Sequence, residues 1–134
     1  MAVYLESGER MDREMMVKER LLKAVELANE DSEGKKLAKK LGSGKLVVKV
    51  TGGLSVSILA ENGHLEIVES QEHPKAIYEF SDIESAWALM NKSLSPYAAT
   101  VHKKLNQQGL SPMNDTFEDI LLLAYDRESA SGRE

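Results

Sequence analysis

The stretch from Leu54 to Glu69 constrains the fold of this chain more than any other, because it predicts two strands joined by Asn62-Gly63. Asn-Gly supplies two residues that tolerate positive φ, as a two-residue type I′ turn requires, and alternating apolar residues flank the turn on both sides. Such a turn places Glu61 opposite His64 and makes one face of the hairpin apolar, so other parts of the chain must cover it. The residues predicted on this face are Leu54, Val56, Ile58, Ala60, Leu65 and Ile67.

The composition excludes several classes of function. The chain has 134 residues, enough for one domain, and no cysteine, so thiol nucleophiles and thiolate metal sites are excluded. A net charge of −5 and few aromatic residues argue against nucleic-acid binding. No secretion signal is recognisable, and the longest apolar run, Ile120 to Tyr125, is too short to cross a bilayer. A cytoplasmic location is therefore expected.

Helices and strands are predicted on both sides of the hairpin. Apolar residues at helical spacing predict an amphipathic helix over Val17–Ala28, and Ser32 is expected to cap a second helix that ends near Leu41. Strands over Lys45–Val50 and Lys75–Phe80 add to a mainly antiparallel sheet. The second helix has a basic face that consists of Lys35, Lys36, Lys39 and Lys40.

The C-terminal half contains three helix-start patterns. Ser81-Asp82-Ile83-Glu84 and Asp115-Thr116-Phe117-Glu118 are capping boxes, and Ser95-Pro96 opens a helix between them. Gly109 is expected to end that middle helix. The predicted buried side of this middle helix consists of Tyr97, Val101 and Leu105.

The last predicted helix, from Phe117 to Tyr125, is apolar around most of its circumference. A helix on one sheet face needs only one apolar stripe, so this one needs two apolar neighbours. The second neighbour is another helix, a partner subunit or a bound apolar molecule. The charged residues from Asp126 to Glu134 are predicted to form a disordered tail.

No pattern in the sequence predicts catalysis. His64, His73 and His102 lack the spacing of metal ligands, and helix caps and surfaces account for the carboxylates. No combination of nucleophile, base and oxyanion site is recognisable. An enzyme is therefore not predicted, and neither is a metal or a cofactor.

Several sequence features in the second half of the chain occur in the order found in a known family. They are Pro74 before a strand, Ser81-Asp82 at a helix start, Leu94-Ser95-Pro96, Ala99, Lys104-Leu105 and Gly109. In this order the chain resembles the sterol carrier protein type 2 family. Lys103 stands where that family usually has glycine.

The resemblance implies an α+β fold with a mostly antiparallel sheet of four to five strands, covered by helices around an apolar tunnel for fatty acids, acyl-coenzyme A, sterols or phospholipids. It implies a strand just after Lys104-Leu105, where the polar run Asn106-Gln107-Gln108 equally suits a longer helix. It also selects Ala99 as a buried residue, whereas helical periodicity favours Ala98.

These observations predict a single domain over residues 1–134 that binds or transfers a lipid-like ligand without catalysis. The alternatives are a dimerisation or protein-interaction module whose last helix contacts a partner subunit, and an enzyme that binds an acyl thioester. The lysine face of the second helix is interpreted first as a solvent-exposed helix face, with contact to an anionic membrane or a phosphate as the alternative. Lys103, Lys104 or this lysine-rich helix is a candidate contact for an anionic head group, and transient contact with a membrane surface is an alternative expectation. The predicted lining of the tunnel is Val48, Ile58, Trp87, Met90, Val101, Leu105, Met113, Phe117, Leu121 and Tyr125.

Overall fold

A computed structural model describes residues 7–109 and 111–131, with the surroundings of the side chains of residues 12–109 and 113–129. Over these residues the fold is α+β, with a sheet covered by helices. The helices are α1 (Ser7–Glu30), α2 (Ser32–Leu41), α3 (Ile83–Met90), α4 (Pro96–Val101) and α5 (Ser111–Ser131). The strands are β1 (Gly44–Val50), β2 (Ser55–Glu61), β3 (His64–Val68), β4 (Ala76–Phe80) and β5 (Leu105–Gly109).

The five strands form one sheet in the order β3-β2-β1-β4-β5. The β2–β3 hairpin has the predicted register, with Glu61 opposite His64 across a turn in which Asn62 and Gly63 both have positive φ. Neighbouring strands are antiparallel except for β1 and β4, which run parallel. The sheet is thus mixed, a small correction to the prediction of a mostly antiparallel one.

Residues 69–75 connect β3 to β4, which both run in the direction of β1, so this segment passes β2 and β1 to reach the other side of β1. This segment crosses the sheet face that lies away from the helices. On that face the Lys45 ammonium donates hydrogen bonds to the Ser70 hydroxyl at 3.2 Å and to the Glu72 carbonyl at 3.0 Å. Val47 and Ser57 also point to this face and are buried.

The core lies between the other face of the sheet and the helices. The predicted inward residues of β1 and β4 are all buried, and so are those of the hairpin except Ile67. Ile67 is 39% exposed because β3 is an edge strand. The sheet residues in the core are Leu46, Val48, Val50, Leu54, Val56, Ile58, Ala60, Leu65, Ala76, Tyr78, Phe80 and Leu105.

Aspartate, not serine, caps two of the helices. Asp31 accepts hydrogen bonds from two backbone N–H groups at the start of α2, so the predicted Ser32 cap is wrong. Asp82 accepts from the Ser85 N–H at 2.8 Å, so the box with Ser81 as the cap is also wrong. A carboxylate gains from the positive end of the helix dipole as well as from the hydrogen bond. The predicted cap at Ser95 is confirmed.

The segment after α4 forms a strand, as the family resemblance implies, and does not continue the helix. A turn at residues 102–104, in which Lys103 has a φ of +58°, leads into β5, so the predicted longer helix is wrong. Gly109 ends a strand instead, at a φ of +88°, where a Cβ atom would lie 2.1 Å from the Lys75 carbonyl oxygen. Ala99 is fully buried, whereas Tyr97 and Val101 are 80% and 55% exposed.

Helix α5 is longer than predicted at both ends. The supposed capping box from Asp115 to Glu118 lies inside it, so that predicted start is wrong. The expected disordered tail is wrong for residues 126–131, which continue the helix. Arg127 in this part is 3.3 Å from the Asp31 carboxylate, which ties the helix to the start of α2. Residues 132–134 lie outside the described part of the chain.

Candidate functional site

The candidate site is the apolar interior between the sheet and α5. Phe117 and Leu121 of α5 are fully buried, and the Tyr78 ring on β4 lies edge-on to Phe117, with ring centroids 6.2 Å apart. α5 packs chiefly against α1 and α2, and less extensively against β4 and β5. The second apolar neighbour of this helix is therefore other helices of the same chain.

Most of the residues predicted to line a tunnel come together in this interior. Trp87 is partly buried and packs against their edge. Tyr125 is half-buried, and its ring lies near Arg20 and Lys92. Val101 lies at the surface on α4, so the structure does not bring it together with the others. The members within the core are Val48, Ile58, Met90, Leu105, Met113, Phe117 and Leu121.

A polar group interrupts this apolar interior beside Phe117. The Tyr78 hydroxyl, on a residue with no exposed surface, donates a hydrogen bond to Glu118 Oε1. Gln107 Nε2 on β5 donates to the same oxygen at 2.7 Å. Tyr78 and Gln107 are directly paired across β4 and β5, so both present side chains to α5.

The charge of Glu118 is poorly compensated. Burial raises the pKa of this carboxyl above its ordinary value, and the nearby Asp115 and Asp119 act in the same direction, against the hydrogen bonds from Tyr78 and Gln107. Burial and the neighbouring carboxylate also raise the pKa of the Tyr78 hydroxyl, which therefore stays protonated. Within the described side chains, no lysine, arginine or histidine forms an ion pair with Glu118.

Asn114 lies one turn before Glu118 on the same side of α5. It is 1% exposed, and its Nδ2 donates to the Gln108 carbonyl at 3.3 Å. Its Oδ1 is buried, and none of the described residues donates a hydrogen bond to it. Buried acceptors without a donor are uncommon in native proteins.

Arg20 on α1 forms a second buried polar contact. It is 5% exposed, donates to the Met90 carbonyl at 2.9 Å and pairs with Glu128 at 2.8 Å. Its guanidinium carbon lies 4.9 Å from the centroid of the Trp87 ring. Arg20 therefore joins α1 to α3 and to the end of α5.

The sequence analysis missed both polar contacts. Glu118 was assigned to a helix cap, and the amphipathic pattern of Val17–Ala28 places Arg20 on the solvent side of α1. For Glu118 a signal exists in the sequence, since an acidic residue breaks the apolar surface of the last helix. No comparable signal marks Arg20, because charged residues adjoin it on α1.

Two surface clefts lie around α3, outside the apolar interior. One, of about 270 Å³, is bordered by Glu14, residues 50–53 and residues 81–84. The other is an open groove of about 430 Å³ that includes Ala88, Leu94 and Lys104. The Lys104 ammonium lies 3.7 Å from the Asp82 carboxylate, so this predicted head-group contact is already paired.

The described residues contain no group of histidine, aspartate and glutamate side chains arranged to hold a metal ion. Among the helices described, none combines the length and the apolar character needed to cross a bilayer.

Known structures share this fold. The mixed five-stranded sheet with helices on one face is the fold of sterol carrier protein 2 structures, in agreement with the resemblance in the sequence. A ubiquinone synthesis protein, UbiJ-SCP2, matches at a TM-score of 0.61 and 16% identity, over 75% of this chain and 87% of its own.

Two further structures carry the sterol carrier name. The sterol carrier protein domain 2 of Helicoverpa armigera matches at a TM-score of 0.56 and 21% identity, over 81% of this chain and 90% of its own. A crystal structure of sterol carrier protein 2 matches at a TM-score of 0.57 and 15% identity, over 80% of this chain and 94% of its own. No protein-family model matches the chain, and no curated protein sequence does. At these identities the similarity establishes the fold alone.

Proposed function

We propose that this protein binds a lipid-like molecule between the sheet and the first half of α5, and carries it in the cytoplasm without changing it chemically. Fatty acids, acyl-coenzyme A, sterols and phospholipids are the candidate ligands. The single domain of residues 1–134 suffices for this function, which needs no cofactor.

The observation that carries the proposal is the packing of α5. Its apolar residues Phe117 and Leu121 cover the apolar face of a sterol-carrier-like sheet. The helix has more contacts with α1 and α2 than with β4 and β5. A ligand that enters between α5 and the sheet therefore leaves α5 attached to the other helices.

Burial of an acyl chain supplies enough free energy for useful affinity. Each buried methylene contributes about 0.8 kcal/mol, so about ten methylenes contribute roughly 8 kcal/mol. Before the costs of association, this corresponds to a dissociation constant on the order of 1 µM. Binding of this kind needs an apolar interior and no catalytic group.

The names of the similar structures support an apolar ligand. Two are named for sterol carriage and one for ubiquinone synthesis. Sterols and ubiquinone are both water-insoluble lipids. The shared fold and the apolar face under α5 therefore favour a lipid over a polar metabolite.

The basic face of α2 suits transient contact with an anionic membrane. Lys35, Lys36, Lys39 and Lys40 are exposed, and none forms an ion pair with a described residue. Each lysine near an anionic bilayer contributes about 1 kcal/mol at low salt. We expect the chain to sediment with phosphatidylserine vesicles at low salt but not with phosphatidylcholine vesicles. Replacing the four lysines with glutamine should abolish sedimentation, whereas replacing Lys18, an exposed lysine of α1, should not.

Trp87, the only tryptophan, reports on the interior because it packs against the core. Titration with fatty acids, acyl-coenzyme A and sterols should change its emission in a saturable way, and native mass spectrometry of protein purified from cells should find bound lipid. Leu121→Trp should weaken binding by filling the interior, whereas Val101→Ser at the surface should not. Absence of bound lipid and of any response across these classes would contradict the proposal.

A further inference from the structure

The group of polar side chains beside Phe117 indicates which kind of head group the ligand has, and this inference rests on the proposed function. Glu118 and Asn114 lie one turn apart on α5; Tyr78 and Gln107 donate to Glu118 from the sheet, and Asn114 donates to the Gln108 carbonyl of β5. The Tyr78 ring contacts Phe117, so this group borders the apolar interior directly. It lies where the polar end of a buried ligand would meet the protein.

The group offers acceptors without donors. Both hydrogen bonds to Glu118 reach Oε1, and Oε2 accepts none from the side chains described. Asn114 Oδ1 is the buried acceptor of this group, and no described residue donates to it. Ligand sites characteristically hold a few such polar atoms in an otherwise apolar lining. A ligand that donates a hydrogen bond here would satisfy acceptors that the protein leaves free.

The group also carries a negative charge without a cation. None of the described lysine, arginine and histidine side chains forms an ion pair with Glu118, and Asp115 and Asp119 are neighbours on the same helix. A second carboxylate brought into this partly buried place would be repelled.

We propose that Glu118 and Asn114 form the head-group site of the ligand, and that this site selects a neutral hydrogen-bond donor, such as an aliphatic alcohol, over a carboxylate. Fatty alcohols and fatty acids of equal length bury the same chain, so the head group alone separates them. Glu118 excludes the anion, and Asn114 Oδ1 accepts the one hydrogen bond that the alcohol hydroxyl donates.

The test is a competition between hexadecanol and palmitate. Neutral phosphatidylcholine vesicles carrying both lipids are incubated with the protein at neutral pH, and the lipid bound to the separated protein is extracted and counted. The wild-type protein should hold at least about tenfold more alcohol than acid, relative to their ratio in the vesicles. Glu118→Gln keeps the side-chain shape and should lower this preference about tenfold.

Matched variants separate the site from the overall charge. Asp119→Asn removes one negative charge from the next, exposed position of α5 and should leave the preference within twofold of wild type. Asn114→Leu should reduce alcohol binding several-fold with little effect on the acid. If wild type takes up both lipids equally, or if Glu118→Gln acts no more strongly than Asp119→Asn, the head-group site is refuted while lipid binding stands. If neither lipid binds, the head-group site is refuted as well, and the titrations with acyl-coenzyme A and sterols then decide the proposed function.

Discussion

The two halves of α5 are held in the fold by different interactions. From Met113 to Leu121 the helix is held chiefly by buried apolar side chains, beside which Asn114 and Thr116 are buried polar residues and Glu118 is half-buried. From Tyr125 onward it is held by ion pairs at or near the surface. These pairs are Arg20 with Glu128 at 2.8 Å, Lys92 with Asp126 at 2.8 Å and Arg127 with Asp31 at 3.3 Å.

This difference between the two halves of α5 bears on how the proposed ligand could enter between the helix and the sheet. The ion pairs tie the second half of α5 to α1, to the cap of α2 and to Lys92, two residues after the end of α3. They do not involve the sheet. A ligand under the first half would replace apolar contacts with other apolar contacts, while the second half keeps α5 attached.

The largest expected effect follows from truncation in the first half. Leu121→Ala should lower the free energy of unfolding by about 2–5 kcal/mol, because it leaves a cavity in a fully buried place. Urea unfolding followed by circular dichroism measures this. Leu122→Ala, at the neighbouring half-buried position, should cost clearly less, and equal losses would contradict the orientation of α5.

A smaller effect is expected at Arg20 on α1. Of the three cations whose ion pairs hold the second half of α5, Arg20 is the buried one. Arg20→Ala should lower the free energy of unfolding by about 1–3 kcal/mol, because the buried Met90 carbonyl loses its donor. The control is Arg13→Ala, whose partner Glu84 is exposed, with an expected loss below about 1 kcal/mol. A loss at Arg20 no greater than at Arg13 would show that the buried contact is not stabilising.

The two halves should respond to pH with opposite sign. Glu118 has a raised pKa in the folded protein, so its ionisation lowers stability as the pH rises from its unfolded value of 4.5 through the folded value. Asp31 has a lowered pKa, chiefly because of its hydrogen bond with Arg127, so its contribution is present above 3.8 and is lost as the pH falls through the folded value.

Urea unfolding of wild type and Glu118→Gln across this pH range isolates the first effect. The stability of the variant relative to wild type should increase as the pH rises. Besides Tyr78 and Gln107, the groups that face Glu118 are Asp115 and Asp119, and the variant retains all of them. A difference that does not change with pH would indicate that Glu118 carries no desolvation penalty.

The smallest effect is expected for the exposed pair of Lys92 and Asp126. Lys92→Ala should cost less than about 1 kcal/mol, and the difference from wild type should disappear at high salt, because exposed charges are screened. Thermal unfolding at low and high salt measures this. A loss that persists at high salt would show that the lysine contributes through packing, for example against the Tyr125 ring.

The sequence was sufficient where local chemistry decides the structure. The Asn62-Gly63 turn and its alternating neighbours determine the hairpin, and the same alternation identifies the buried residues of β1 and β4. Ser95-Pro96 likewise marks the start of α4. Each of these signals lies within a few residues of the feature that it predicts.

The sequence was insufficient where distant residues decide. β5 is polar, and its pairing with β4 makes it a strand, so only the family resemblance indicated it. Tyr78 and Glu118 are 40 residues apart, and no local pattern joins them. Helix periodicity placed Val101 inside, whereas the side of α4 that faces the core is that of Ala99, and Val101 lies on an exposed side.

The most direct test of lipid binding under the first half of α5 is nuclear magnetic resonance with labelled methyl groups and an unlabelled hexadecanol ligand. Intermolecular Overhauser contacts should connect the chain of the ligand to Ile58, Leu105 and Leu121, with none to Val101. Contacts confined to the groove of Ala88 and Leu94, or to the sheet face under residues 69–75, would contradict the account.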